Sequence, residues 1–231
     1  MLRRRLDQLS SGSPTADLGD ILVFAGPGAG KTLGALLGFS SMRREGHLDQ
    51  FVVFCHRTSI LEQWKQAAAG LGLCLKEWPC TDAAAKAADG LLVTYQGAGR
   101  QLKPLQQQLG QLQADRCMAI ADEAHHLGLD PEDPKAPAWG QTFQALTESF
   151  RLRVGLTGTP FRADNLGFCA ARRIRIVQDG MVMEQIRPDL CVEPRDLIAA
   201  GDVRPLEFRF QDGWVEHSRE GMPDRDVSPL S

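Results

Sequence analysis

The chain has 231 residues, of which 43% are hydrophobic and 24% charged, with a formal net charge of −3. This composition builds one sizeable core and excludes a chain disordered throughout, because low hydrophobicity with high net charge is absent. No apolar run approaches the roughly 20 residues of a bilayer span, and the basic residues 1–6 lead into no apolar signal-peptide core, so no membrane association and a cytoplasmic location are expected.

The charge is unevenly spread: residues 1–178 hold 20 basic against 17 acidic residues, and residues 179–231 hold 6 against 12. Arginine supplies 20 of the 26 basic residues, and its planar fork makes it the better phosphate clamp. A weakly basic front with an acidic tail permits nucleic-acid binding through a local patch without requiring it. The six cysteines form no Cys-x-x-Cys pair, and several stand in strand-like runs. They read as reduced core thiols, neither a disulfide scaffold nor a zinc cluster.

Residues 1–19 read as an N-terminal lead-in. A first apolar strand at 21–24 runs into Ala25-Gly26-Pro27-Gly28-Ala29-Gly30-Lys31-Thr32 and then a helix over 31–44. Further strands are expected at 51–54, 91–94, 117–120 and 152–156, with helices at 59–70, 82–89, 98–113 and 138–150. Ser59 and Glu62 read as a capping box opening the second helix. Residues 106–113 form a Gln-rich polar helix face, and 130–137 a Pro-rich loop. From about residue 160 the alternation weakens into short strands around one short helix near 194–200, and the tail from Asp212 reads as loose. Strands apolar throughout, alternating with helices, predict an α/β fold with a mainly parallel sheet covered on both faces. Ligands bind such sheets beyond the carboxyl ends of the strands.

Two segments carry chemistry at those ends. The glycines of 25–32 let backbone amides turn inward around phosphate oxygens, and the following helix N-terminus adds partial positive charge. Lys31 reaches the β- and γ-phosphates of a nucleotide and the Thr32 hydroxyl ligates Mg²⁺, although Ala25 stands where the strict pattern has glycine. The second segment is Asp122-Glu123-Ala124-His125-His126. An aspartate ending a buried strand beside a phosphate loop is the expected second Mg²⁺ anchor. Glu123 is placed to orient and activate the water that attacks the γ-phosphate.

These segments, in this order, resemble the first RecA-like domain of a superfamily 2 helicase or translocase of the Asp-Glu-Ala-His (DEAH-box) type. The flavour is that of the helicase subunits of restriction enzymes and related phage or DNA-repair translocases. Three further motifs carry the resemblance over about residues 20–162: Cys55-His56-Arg57-Thr58-Ser59-Ile60-Leu61-Glu62-Gln63-Trp64, Thr94-Tyr95-Gln96, and Leu156-Thr157-Gly158-Thr159-Pro160-Phe161-Arg162. In the first of these, His56-Arg57 replaces the usual Pro-Thr. The resemblance implies a three-layer RecA-like P-loop NTPase domain over 20–165, with 166–231 an α/β extension or the start of a linker. It implies ATP and Mg²⁺ as ligands. It also implies that Thr157 and Thr159, with His125, couple nucleotide state to nucleic acid, and that Arg57, Thr58, Ser59, Thr94 and Gln96 face the phosphates of one strand. Such contacts ignore sequence, as a motor on DNA, or on RNA, requires. His126 reads as structural, and Arg172, Arg173 and Arg175 as a solvated face.

Two family features are not matched. The adenine-reading glutamine has only Gln8 as a candidate, in surroundings unlike the family's, and no Gln-x-x-Gly-Arg-x-x-Arg arginine-finger segment occurs. The expectation is therefore the ATPase half of a motor completed by a second RecA-like domain: a fragment, half of a split gene, or a reduced relative. The alternatives are a nucleic-acid-binding module that holds ATP without turnover, and a different P-loop NTPase such as a nucleotide kinase.

Overall fold

The computed structural model describes residues 1–11, 19–127, 136–158, 173–178, 181–201, 214–216 and 227–229. Helix α1 (Leu2–Ser10) precedes β1 (Asp20–Ala25) and α2 (Lys31–Arg44). There follow β2 (Gln50–Cys55), α3 (Thr58–Ala69), β3 (Leu75–Glu77), α4 (Asp82–Ala87) and β4 (Gly90–Thr94). Next come α5 (Tyr95–Arg100), α6 (Leu102–Leu109), β5 (Cys117–Asp122), α7 (Ala136–Thr147) and β6 (Leu152–Thr157). The remainder holds β7 (Arg173–Gln178), β8 (Met181–Ile186), β9 (Leu190–Val192), α8 (Pro194–Ala200), β10 (Trp214–Glu216) and β11 (Val227–Pro229).

Seven strands form one sheet in the order β3-β4-β2-β5-β6-β1-β9, and every neighbouring pair is parallel. Alternate residues of each strand enter opposite cores. Ile21, Phe51, Val53, Met118 and Val154 pack with Leu6 of α1, Phe39 of α2 and Trp64 of α3. Leu22, Val52, Phe54, Val93 and Ala119 pack with Tyr95 of α5, Leu105 of α6 and Phe143 of α7. Helices thus cover both faces, which is why the central strands carry no polar alternation. This is the three-layer α/β, RecA-like architecture with a mainly parallel sheet.

Several local expectations are corrected. Helix α3 starts one residue early, with Arg57 at its N-cap and no side-chain capping bond, so Ser59 and Glu62 lie inside the helix and form no capping box. The single helix expected over 98–113 is two, α5 and α6, broken at Gln101 (φ −130°, ψ 47°). Pro104 falls in the first turn of α6, where its missing N–H would have no helical partner anyway. The polar strand β3 (Leu-Lys-Glu) had no apolar signal to announce it.

The stretch read as a lead-in carries α1, whose Leu6 is fully buried. The region after 165 supplies β9 to the main sheet beside β1. Asp189 fastens it: one carboxylate oxygen accepts from Arg5 Nη2 (2.7 Å) and the other from the Leu22 amide (2.9 Å). Strands β7 and β8 pair antiparallel, as do β10 and β11, so the tail read as loose holds a strand pair.

Candidate functional site

The ends of β4, β2, β5, β6 and β1 stand side by side along the carboxyl edge of the sheet, which gathers the residues singled out in the sequence. The phosphate loop links buried Ala25 and Gly26 to α2. Gly28 (φ 79°) and Gly30 (φ 71°) adopt the left-handed conformation that side chains resist, and Gly30 is the N-cap of α2 with no side-chain cap. The first-turn amides of α2 are therefore left for an anion. Half-buried Lys31 donates from Nζ to the carbonyls of Ala25 (2.9 Å) and Gly26 (3.2 Å), so its ammonium is folded back into the loop. Thr32 is half-buried at the second position of α2, while Pro27 and Gly28 are exposed and Ala29 donates its amide to the Gly26 carbonyl (3.2 Å).

Gly158, just beyond β6, stands against the loop from the sheet side: a Cβ there would meet Lys31 Nζ at 3.4 Å and the Ala25 carbonyl at 3.5 Å, ordinary contact distances. Between α1, α2 and the ends of β1 and β9 a cavity of about 690 Å³ opens beside Lys31, lined among others by Arg4, Asp7, Gly34 and Leu190. Among the described residues, Gln8 does not line it.

Asp122 ends β5 with 7% exposure. Burial pushes its carboxyl above the usual carboxylate range, and the hydrogen bond from Trp64 Nε1 (2.9 Å) opposes that shift. Its other carboxylate oxygen accepts from the Glu123 amide (3.0 Å), and its carbonyl accepts from the hydroxyl of Tyr95 (2.9 Å). Glu123 has φ 50°, a left-handed backbone that costs a non-glycine residue energy and that recurs at functional sites. Its side chain is about a third exposed and points one carboxylate oxygen at His125 Nδ1 (3.3 Å). The same Nδ1 lies 3.1 Å from the buried Thr157 hydroxyl. A carboxylate accepts only, so this geometry favours the tautomer with its proton on Nδ1. Thr159 lies outside the described residues.

The segments expected to face nucleic acid flank this centre. Arg57, Thr58 and Ser59 are exposed at the start of α3. Thr94 and Gln96 are half-buried, and the Thr94 hydroxyl accepts from the Gly97 amide (3.0 Å), so it caps α5. Of the basic cluster, Arg172 lies outside the described residues and Arg173 and Arg175 are on β7.

Sequence reasoning missed the contacts of several side chains here. Trp64 was only part of a motif, yet it bonds Asp122. Tyr95 bonds the backbone of the same residue. His56 and His126 stack at 4.1 Å between ring centroids, and Trp139 lies 5.4 Å from His56. The exception to the usual Pro-Thr at 56–57 was the one available signal for that stack. Among the described residues no group of His, Cys, Asp and Glu forms a metal cluster of its own.

Together with its family, the fold makes this a helicase-type ATPase domain of superfamily 2. The chain belongs to the family described as "Type III restriction enzyme, res subunit", whose model matches residues 5–162. An uncharacterized protein of Mycobacterium leprae is 29% identical over 217 residues, covering 92% of this chain and 34% of its own length. One from Mycobacterium tuberculosis is 29% identical over 219 residues, with the same coverage of 92% and 34%. The chain thus spans about a third of the length of these relatives. Among solved structures, the SWI2/SNF2 ATPase core of Sulfolobus solfataricus in complex with dsDNA is similar at a TM-score of 0.46 and 23% identity, over 68% of this chain and 32% of that one. The UvsW helicase of bacteriophage T4 is similar at a TM-score of 0.45 and 16% identity, over 68% of this chain and 52% of its own.

Proposed function

We propose that this chain is the ATP-binding, Mg²⁺-dependent ATPase half of a DEAH-type DNA helicase or translocase. It couples hydrolysis to movement on DNA, or on RNA, once a second RecA-like domain completes the motor. The motor domain proper spans about 20–165, with 1–19 and 166–231 flanking it. The observation that carries this reading is the convergence of Lys31, the Asp122–Glu123 pair and the His125–Thr157 contact on one sheet edge.

The residues suit the ligands. Two glycines in left-handed conformation and an uncapped helix start leave amides for phosphate beside Lys31. A buried carboxylate held above its ordinary pKa gains from a cation, and Asp122 is one. Thr32 and Asp122 would hold Mg²⁺, which when bound neutralises charge on the β- and γ-phosphate oxygens. Lys31 leaves its two carbonyl partners for the phosphates, adding a full charge to the partial charges of the loop. Glu123 takes a proton from the water attacking the γ-phosphate. His125 Nδ1 faces both the Glu123 carboxylate and the Thr157 hydroxyl, so a change at the phosphates is felt at the end of β6. Thr159 shares the coupling role. Arg57, Thr58, Ser59, Thr94 and Gln96 receive the phosphates of one strand.

Calorimetry of ATP binding tests this reading. Lys31→Ala is expected to abolish measurable binding, since it removes the one full positive charge in the loop. Equal affinity in variant and parent would overturn it.

A further inference from the structure

Trp64 is fully buried, and Phe39 and Phe51 in the same core show that aromatic bulk alone can be met without a polar atom. An indole adds one thing to bulk, an N–H donor that needs a partner when buried. In Trp64 that donor is spent on Asp122 Oδ2 at 2.9 Å, across 58 residues of sequence. The opposite oxygen of Asp122 is held by the Glu123 amide at 3.0 Å, and the Asp122 carbonyl by the Tyr95 hydroxyl at 2.9 Å. An ionised carboxylate has about four lone-pair sites, so two donors fix its plane and leave each oxygen an acceptor position. Partners that orient a metal-binding carboxylate typically govern metal affinity by about 10–100-fold.

We propose that Trp64 is a positioning residue for the metal anchor: its indole N–H locks the Asp122 carboxylate in the orientation that receives Mg²⁺ with ATP. The proposal rests on Asp122 being that anchor, and deepens the reading of the same site. Helix α3 carries Trp64, so one rigid helix holds both the anchor's orienting donor and the exposed Thr58–Ser59 end.

The test is ATP binding by calorimetry to the 231-residue chain, in chelator and in Mg²⁺, for the parent, Trp64→Phe and Asp122→Asn. In the parent, Mg²⁺ tightens ATP binding. Trp64→Phe is expected to lose about tenfold or more of that gain, with metal-free ATP affinity within about twofold of the parent. Asp122→Asn is expected to lose the gain as well. Full retention of the Mg²⁺ gain in Trp64→Phe, with loss in Asp122→Asn, overturns the positioning role and leaves the anchor intact. Retention in both variants, or no gain in the parent, removes the anchor and this proposal with it. Parallel loss of metal-free and Mg²⁺-dependent affinity in Trp64→Phe marks a packing role and also overturns it. A second readout uses the folded parent. Of the four Trp residues, the Trp64 indole ¹H–¹⁵N resonance, assigned by replacing Trp78, Trp139 and Trp214 in turn, shifts when Mg²⁺ joins ATP. An unmoved Trp64 resonance under saturating Mg·ATP overturns the proposal.

Discussion

The Thr157 hydroxyl lies 3.1 Å from His125 Nδ1, so the end of β6 touches the turn that follows β5. Thr157 is fully buried and pairs in register with Phe24 of β1, one residue before the phosphate loop begins. Two adjacent strand ends, that of β6 beside the glycine-rich loop and that of β5 carrying the Asp122–Glu123 pair, thus meet through a hydroxyl and an imidazole.

Thr157→Val keeps the side-chain volume and deletes the hydroxyl. ATP affinity is expected to stay within about twofold, while phosphate release falls roughly 3–10-fold, the effect of one hydrogen bond of about 1 kcal/mol. Steady-state phosphate release beside a binding isotherm checks the split. An unchanged turnover would remove Thr157 from the coupling path.

Glu123→Gln keeps shape and hydrogen bonding but cannot accept the water's proton. Mg·ATP binding should persist while hydrolysis falls by about 10²–10⁴, the usual weight of a general base. Release within about twofold of the parent would assign the base elsewhere.

Leu6→Ala probes the beginning of the chain, where a detachable lead-in and a packed helix predict opposite results. Leu6 is fully buried against the α2 side of the sheet. Its truncation is expected to cost about 2–5 kcal/mol. At roughly 2–4 °C per kcal/mol for a chain of this size, calorimetry should show a clear drop in Tm. An unchanged Tm would mean that α1 contributes nothing to the core.

Much of the fold was legible because the five central strands are apolar on both faces and are punctuated by turn residues. The glycine-rich turn between β1 and α2 was legible because closely spaced glycines mark a tight turn before a helix. The capping box failed through register: placing the helix start at Thr58 moves Ser59 from cap to interior. Short strands were expected around β9, but three residues carry no sign that it joins the main sheet; α1 was masked by its arginines, although Leu2, Leu6 and Leu9 recur at helical spacing on its core side. The Trp64–Asp122 bond joins residues far apart in sequence, and no local pattern encodes it.

The most direct measurement is phosphate release from Mg·ATP by the purified chain beside Lys31→Ala, with and without single-stranded DNA. Slow release by the parent, lost in Lys31→Ala, is the predicted result, slow because an arginine finger is typically worth about 10³–10⁵ in rate. ATP held by the parent with no release above the Lys31→Ala background would contradict a hydrolase and leave a nucleotide-dependent binding module in its place.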